Sequence, residues 1–275
     1  MQLPFKQVDV FSTASCRGNP VCVFLESTNL STADMQRIAN WTNLSETTFV
    51  SKSDRADYAV RIFTTQSELP FAGHPTLGTA WALREAGIVT EAHWVQDCAY
   101  GLVHMAEEGG ALFFVLPSYQ LGRELDSKRV STAMGVPVSD CTMIHTGPYW
   151  VIGYVETLEQ LDTLRIDTAQ FLEFVRAEKA EGITLYTIDN AGQVHVRTLC
   201  NTATGVTEDP VCGSGNAAVA AHVQHTGRIT RTGATYEARQ GKHLGRDGRI
   251  QVNIGEKIRI GGHCNTVLSG VARYG

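Results

Sequence analysis

Side chains capable of chemistry are concentrated in one stretch of the sequence, Glu208-Asp209-Pro210-Val211-Cys212-Gly213-Ser214-Gly215-Asn216. The segment that follows carries no Asp, Glu, Lys or Arg up to Gln224, and most of its residues are as small as Ala. A helix that is apolar all round is normally buried on every side. Its first turn leaves backbone N–H groups free and points the positive end of the helix dipole outward. The stretch therefore predicts an anion-binding site at the start of a buried helix.

The same pattern occurs earlier in the chain. Five residues recur at an offset of 140: Glu68 and Glu208, Pro70 and Pro210, Gly73 and Gly213, Ala80 and Ala220, Gly87 and Gly227. A strand-like run precedes each copy, and Pro75 suits a first helical turn. Two matching half-domains with buried helices over about 75–86 and 215–226 are the simplest explanation, with chance identity as the alternative.

Composition restricts the class of protein. The chain has 275 residues, 43% hydrophobic and 19% charged, which is typical of globular proteins and long enough for two domains. A net charge of −5 argues against nucleic acid or an acidic membrane surface as partner. No apolar run approaches the roughly 20 residues that span a bilayer. The first residues do not resemble a signal peptide, and the seven scattered cysteines contain no C-x-x-C, so we expect reduced thiols and a cytoplasmic location.

Five segments together resemble the PhzF-like family of phenazine-biosynthesis isomerases, within the wider diaminopimelate-epimerase-like fold. They are D-V-F…G-N-P (Asp9 to Pro20), N-L-S-E-T-x-F (Asn43 to Phe49), F-A-G-H-P-T-L-G (Phe71 to Gly78), G-V-x-E-D-P-V-x-G-S (Gly205 to Ser214) and Q-G-x-x-x-G-R (Gln240 to Arg246). They occur in the family's order and span most of the chain. The family's named member acts on trans-2,3-dihydro-3-hydroxyanthranilate.

The resemblance implies an α+β fold of two pseudo-symmetric domains, each a mostly antiparallel curled β-sheet around a central buried α-helix. We expect one domain to span residues 1–117, joined by a returning C-terminal strand at about 263–275, and the other to span 118–262. Pro117 to Asp126 is the predicted linker. The resemblance also implies an active site in the cleft between the domains, no cofactor, and a homodimer.

Glu46 is the predicted general acid/base, because it matches the Glu of the family's S-E-T motif, which moves a proton between substrate carbons. A carboxyl on a partly buried turn beside hydroxyls can have its pKa moved towards neutral pH, as acid/base exchange requires. The alternative is an ordinary exposed Glu at the start of a strand.

Six further positions gain binding roles from the resemblance. His74, helped by the Gly73 N–H, is expected to contact the substrate carboxylate or a polar ring substituent, or else to be a capping or surface histidine. Asp209 is expected to bind an amino or hydroxyl group, although Asp before Pro210 also suits a simple turn. Ser214, with the N–H groups of Gly213 and Gly215, is expected to bind a carboxylate, and plain N-capping is compatible with that role.

Cys212 departs from the pattern of the related epimerases, which place a cysteine at each of the two helix starts. Here the first copy has Ala72 at that position, so two-thiol chemistry is not available there. A thiolate at a helix N-terminus has a lowered pKa, so Cys212 could act as a single base or assist Glu46. The alternative is a small buried thiol.

His222 and His225 are three residues apart, a spacing that could seat a metal, but no third ligand is nearby in the sequence. We therefore expect core or helix-end histidines and no metal. The sequence as a whole predicts a cofactor-independent isomerase of a small carboxylate with amino or hydroxy substituents. A one-thiol racemase or epimerase using Cys212 and a non-catalytic carboxylate-binding protein are the alternatives.

Overall fold

The computed structural model describes residues 1–202 and 205–275, which form two compact units. Unit 1 comprises Met1–Val115 with Gly261–Gly275, and unit 2 comprises Leu116–Ile260. The divisions lie two residues before the positions expected from the sequence, 117 and 263. Each unit combines a large mixed sheet with a few helices, so the predicted α+β fold class is confirmed.

The elements of unit 1 are β1 (Gln2–Val10), β2 (Asn19–Phe24), α1 (Thr32–Thr42), β3 (Glu46–Ser51), β4 (Tyr58–Phe63), β5 (Glu68–Leu69), α2 (Gly73–Glu85), β6 (His93–Cys98), β7 (Gly101–Glu108), β8 (Ala111–Val115) and β18 (Cys264–Arg273). Its strands join in one sheet, with neighbours in the order β18-β1-β2-β3-β4-β6-β7-β8 and β5 paired to β4. Only the β2–β3 and β4–β6 pairs among these are parallel. The last strand thus returns to pair with the first.

The elements of unit 2 are β9 (Gln120–Glu124), α3 (Ser127–Met134), β10 (Ser139–His145), β11 (Tyr149–Tyr154), α4 (Leu158–Asp162), α5 (Thr168–Glu178), β12 (Gly182–Ile188), β13 (Val194–Thr202), β14 (Gly205–Asp209), α6 (Gly213–His225), α7 (Ile229–Thr232), β15 (Thr235–Gln240) and β16 (Gly248–Ile254). Its strands repeat the order of unit 1 as β9-β10-β11-β12-β13-β15-β16, with β14 paired to β13. The two parallel pairs, β11–β12 and β13–β15, occupy the same places as those of unit 1. β17 (Ile258–Gly262) crosses the division.

The helices α2 and α6 begin 140 residues apart and end 140 residues apart. Each starts two residues before the position that the sequence suggested. Both are buried over nearly their whole length, and α6 packs on four strands of its own unit, β10, β11, β12 and β16. The small residues allow this close approach, since a Cβ added to Gly78 of α2 would lie 2.3 Å from Cγ1 of Val21. The sequence repeat therefore corresponds to a repeated structural unit.

The repeated glutamates brace the hairpin before each buried helix. Arg61 of β4 forms two hydrogen bonds to Glu68, at 2.7 and 2.6 Å. Arg197 of β13 does the same to Glu208, at 3.1 and 2.7 Å. Paired N–H···O bonds of this kind fix direction as well as distance. The chain is thus held in the same way where it leaves the sheet and enters α2 or α6.

A second layer of helices covers the opposite face of each sheet. Along β3, Thr48 bonds to Thr79 of α2, and the next residue, Phe49, packs into the cluster that includes Met35 and Ile38 of α1. This alternation is the normal two-residue period of a strand. In unit 2, α3 and α5 supply the corresponding cover, with Val130 and Phe171 fully buried.

The segment expected to be a linker, Pro117 to Asp126, contains a strand instead. Its central residues form β9, which pairs with β10, and all five residues of β9 are exposed. Since the strand buries no side chain, hydrophobic alternation could not reveal it. Within residues 1–202 and 205–275, no helix is both long and apolar enough to cross a bilayer.

His222 is a buried structural histidine, while His225 is exposed in the last turn of α6. Nε2 of His222 lies 2.6 Å from the carbonyl oxygen of Asp140, so this nitrogen carries the proton. Nδ1 therefore accepts from the Tyr186 hydroxyl, at 2.9 Å. Burial lowers the pKa of His222 to about 4. No group of three or more metal-ligating side chains occurs in the part of the chain that the structure describes.

We expect Gly78→Ala to lower the free energy of unfolding by about 1–3 kcal/mol because the added methyl overlaps Val21. This loss would occur although Ala favours helix over Gly by about 1 kcal/mol. Urea unfolding measures the change. In the double variant with Val21→Ala, the combined loss should be smaller than the sum of the single losses; simple additivity would contradict the close packing.

We expect His222 to make the protein acid-sensitive. Its folded pKa lies below that of a free histidine, so its stabilisation is present above about pH 6.5 and is lost as the pH falls towards 4. Between those limits, the stability advantage of wild type over His222→Gln should shrink by up to about 3 kcal/mol. His225→Gln is the control. An advantage that stays constant from pH 7 to 4.5 would refute this role.

Candidate functional site

A tight turn between β1 and β2 positions Asn19. The Asp9 carboxylate accepts hydrogen bonds from the backbone N–H groups of Arg17 and Gly18, at 2.8 and 2.9 Å. A Cβ at Gly18 would lie 2.0 Å from the carbonyl oxygen of Val10, so only glycine fits here. The D-V-F…G-N-P motif is therefore a device that places the first residue of β2.

Glu46 and His74 meet at the starts of β3 and α2. Their nearest atoms, Oε2 and Nε2, are 3.3 Å apart, and the side chains are 16% and 7% exposed. Nδ2 of Asn19 lies 3.5 Å from Nδ1 of His74, a long hydrogen bond in which the amide donates. In the neutral ring this places the imidazole proton on Nε2, the nitrogen nearest Glu46.

The carboxyl of Glu46 has an unusual acidity. Burial raises its pKa to about 7, while a hydrogen bond with the Ser45 side chain opposes the rise. A group with a pKa near the working pH exists in both protonation states, which general acid/base catalysis requires. The predicted features of Glu46, partial burial and a shifted pKa, are both present.

In unit 2, hydrogen bonds hold the loop before α6. The carboxylate of Asp209 accepts from the Val211 N–H at 3.0 Å, so the turn-forming role considered for Asp209 is observed. Gln240 donates to the Asp209 carbonyl at 2.9 Å and accepts from Asn216 at 2.8 Å. The Q-G-x-x-x-G-R motif thus contributes its Gln to holding this loop.

Cys212 is the N-cap of α6, and its Sγ accepts from the Gly215 N–H at 3.3 Å. The expectation of a lowered thiol pKa is wrong, because burial raises the pKa of Cys212 well above its usual value, and the Asp209 charge adds to the rise. The Gly215 N–H is occupied by this bond, so it is not one of the expected anion donors. The structure supports the buried-thiol alternative.

Ser214 lies in the first turn of α6 and is half-buried. Its hydroxyl oxygen accepts from Nε1 of Trp150, at 3.2 Å. Helix geometry leaves the N–H groups of Gly213 and Ser214 without an intrahelical acceptor. The start of α6 therefore offers the hydroxyl and two backbone N–H groups to an anion, and the Gly73 N–H at the start of α2 is equivalent to that of Gly213.

A cavity of about 230 Å³ lies elsewhere in unit 2, lined in part by Gln240, Lys242 and His243. Lys242 and His243 both contact Asp162, at 2.7 and 2.9 Å. Because a carboxylate already binds these two side chains, we assign the anion site to the helix start and not to this cavity.

The structure therefore brings Glu46, Gly73 and His74 together in unit 1, and Asp209, Cys212, Gly213, Ser214 and Gly215 together in unit 2. Sequence reasoning missed Asn19 and Trp150 as partners of these residues. Asn19 stands inside a motif that was recognised, so its position was a usable signal. Trp150 stands in an ordinary apolar strand, and nothing in the sequence distinguishes it.

Comparison with known proteins identifies the family of the chain. The sequence model of the family described as "Phenazine biosynthesis-like protein" matches residues 8–270. The chain is 34% identical to trans-2,3-dihydro-3-hydroxyanthranilate isomerase of Pseudomonas chlororaphis, over 87% of this chain and 86% of that protein. It is also 34% identical to antisense-enhancing sequence 1 of Schizosaccharomyces pombe, over 97% of both chains.

Solved structures share the fold. A phenazine biosynthesis protein of the PhzF family from Bacillus anthracis superposes with a TM-score of 0.84 and 24% identity, covering 100% of both chains. The matched region includes every motif quoted above, the repeated helices and the Glu46–His74 pair. The chain is therefore an isomerase-type enzyme that belongs to the phenazine biosynthesis-like (PhzF) family.

Proposed function

We propose that this enzyme moves a proton between carbons of a small metabolite that bears a carboxylate and an amino or hydroxy substituent. The observation that carries the proposal is the buried Glu46 carboxyl, with a pKa near 7, in contact with His74. The relative from Pseudomonas chlororaphis is named for a substrate of this class, a dihydro-hydroxyanthranilate. A cyclic, partly unsaturated amino acid is thus a reasonable first substrate to assay.

Glu46 supplies both proton steps. As a carboxylate it takes a proton from a substrate carbon, and the electron pair of the broken C–H bond delocalises into the neighbouring unsaturation. As a neutral acid it then gives the same proton to another carbon of that system. The carboxylate is regenerated, so the cycle is balanced without a second base or a cofactor.

His74 is suited to support the charge that develops in the first step. Its Nε2 is the ring nitrogen nearest the carboxyl of Glu46, and the proton on it can hydrogen-bond a polar substrate atom beside that carboxyl. Asn19 holds the opposite ring nitrogen, which fixes the orientation of the ring. A donor that is already positioned needs no reorganisation during the reaction.

The substrate carboxylate is assigned to helix starts. Gly73 at α2, and Gly213 with Ser214 at α6, present N–H groups and the positive ends of helix dipoles. Two points stay predictions from the sequence. One is that a single substrate uses residues of both units, and the other is that Asp209 binds its amino or hydroxyl group. Ser214→Ala and Asp209→Asn should then raise KM for the reaction that Glu46 catalyses.

Two other functions were considered from the sequence. A one-thiol racemase using Cys212 has less support, because the thiol is buried, has a raised pKa and caps a helix. A non-catalytic binding protein would leave substrate carbons unexchanged. Incorporation of solvent deuterium into recovered substrate separates the enzyme from the binder.

The family resemblance also suggests a homodimer in the cytoplasm, and we propose this assembly as a working hypothesis. Sedimentation equilibrium at several protein concentrations tests it. A molecular mass that stays at that of one chain, 30.0 kDa, would contradict it.

We expect Glu46→Gln to lower kcat by at least about 100-fold, because a positioned acid/base contributes about 10²–10⁴ to rate. KM should change little, since the anion contacts come from helix starts. Turnover of trans-2,3-dihydro-3-hydroxyanthranilate, followed by chromatography, measures both constants.

Cys212→Ser is the matched control, because it keeps an N-cap oxygen and removes the thiol. It should retain most of the activity. If Glu46→Gln instead keeps near wild-type turnover and Cys212→Ser is inactive, the reaction depends on the thiol and not on Glu46.

We expect Glu46 to reduce stability as the pH rises. Its folded pKa of about 7 lies above the ordinary value of 4.5, so the folded state favours the protonated acid, and its stabilisation is lost between those two pH values. Relative to that of Glu46→Gln, the free energy of unfolding of wild type should fall by up to about 3 kcal/mol between pH 4.5 and 8. Urea unfolding measures this, with the exposed Glu124→Gln as control. An unchanged difference would show that Glu46 is not buried as described.

A further inference from the structure

Two side chains at the end of the β10–β11 hairpin hold Ser214. The hydroxyl of Thr146 donates to the carbonyl oxygen of Ser214 at 3.1 Å, and Nε1 of Trp150 lies 3.2 Å from its hydroxyl oxygen. Trp150 is 2% exposed and begins the part of β11 that is buried against α6. The hairpin therefore fixes both the backbone and the side chain of this one residue.

The direction of the Trp150 bond is fixed by chemistry. An indole nitrogen can only donate, so the Ser214 hydroxyl oxygen must accept, and its own proton has to point elsewhere. Within the site, Sγ of Cys212 lies 3.7 Å away and is a weak acceptor that already receives the Gly215 N–H. A ligand oxygen at the start of α6 is a better acceptor, because hydrogen bonds to charged groups are stronger than those to neutral ones.

We infer that Trp150 is a positioning residue that directs the Ser214 hydroxyl proton towards a bound carboxylate. The inference rests on the proposed function, in that it assumes an anion at the start of α6. Trp150 does not touch the substrate in this arrangement. It acts by donating to one lone pair of the Ser214 oxygen, so that the hydroxyl proton cannot point in that direction.

The test is a double-mutant cycle on Trp150→Phe and Ser214→Ala, with binding of 2-aminobenzoate measured by calorimetry. This probe carries a ring, a carboxylate and an amino group. Trp150→Phe keeps a buried aromatic ring and removes the donor, together with part of the ring volume. We expect it to raise Kd by about 3–10-fold, in line with the loss of one hydrogen bond. In the Ser214→Ala background it should change Kd by less than about 2-fold, because the group that it positions is gone.

Trp94→Phe is the matched control, since Trp94 is also a buried indole, 3% exposed, but belongs to β6 of unit 1. It should reduce thermal stability without changing Kd. If Trp150→Phe weakens binding equally in both backgrounds, the residue acts through packing and the inference fails. Equal binding by wild type and Ser214→Ala, or no binding of the probe to wild type, also overturns it.

A spectroscopic measurement covers the case in which Trp150→Phe does not fold. The indole N–H resonance of Trp150 should shift on addition of 2-aminobenzoate to wild type and should not respond in Ser214→Ala. A response in both proteins would refute the inference. The double-mutant cycle could also give the expected result although the wild-type protein has no isomerase activity. That outcome would refute the proposed reaction and leave the role of Trp150 intact.

Discussion

A helix that is buried around its whole circumference can meet a ligand from outside the core only at its ends. α2 and α6 are such helices, and the sheet of each unit packs on them so closely that a Cβ at Gly78 would overlap Val21. Any ligand contact must then involve the first turn, where backbone N–H groups lack intrahelical acceptors. The braced hairpins, the tight turn before β2 and the loop before α6 all serve to place side chains at those two ends.

The acidity of Glu46 follows from the same packing. Removing water from a carboxyl disfavours its charged form, and in Glu46 this raises the pKa to about 7. The resulting group is a poor source of stability at neutral pH but a suitable acid and base. Stability and activity therefore make opposite demands on this position, as is common at functional sites.

The sequence predicted the repeat because small residues, Gly and Pro recur at a constant offset, and these are residues with strict backbone requirements. It selected Glu46 and His74, which the structure places in contact, because they stand in recognisable motifs. It did not predict the capping role or raised pKa of Cys212, since burial of a thiol depends on residues distant in the chain. It also missed β9, which has no buried face, and Trp150, whose importance comes from one hydrogen bond.

The paired Glu–Arg braces connect identity between the two halves of the sequence with a shared structural role. Positions that agree in the two halves, such as Glu68 and Glu208, hold the scaffold in the same way in each unit. Positions that disagree, such as His74 and its counterpart Ser214, stand at the helix starts where the ligand contacts are assigned. A duplicated chain thus contains its own internal alignment. Its two copies share the glutamates that hold the scaffold and the glycines at the helix starts, and they differ in the side chains that follow those glycines.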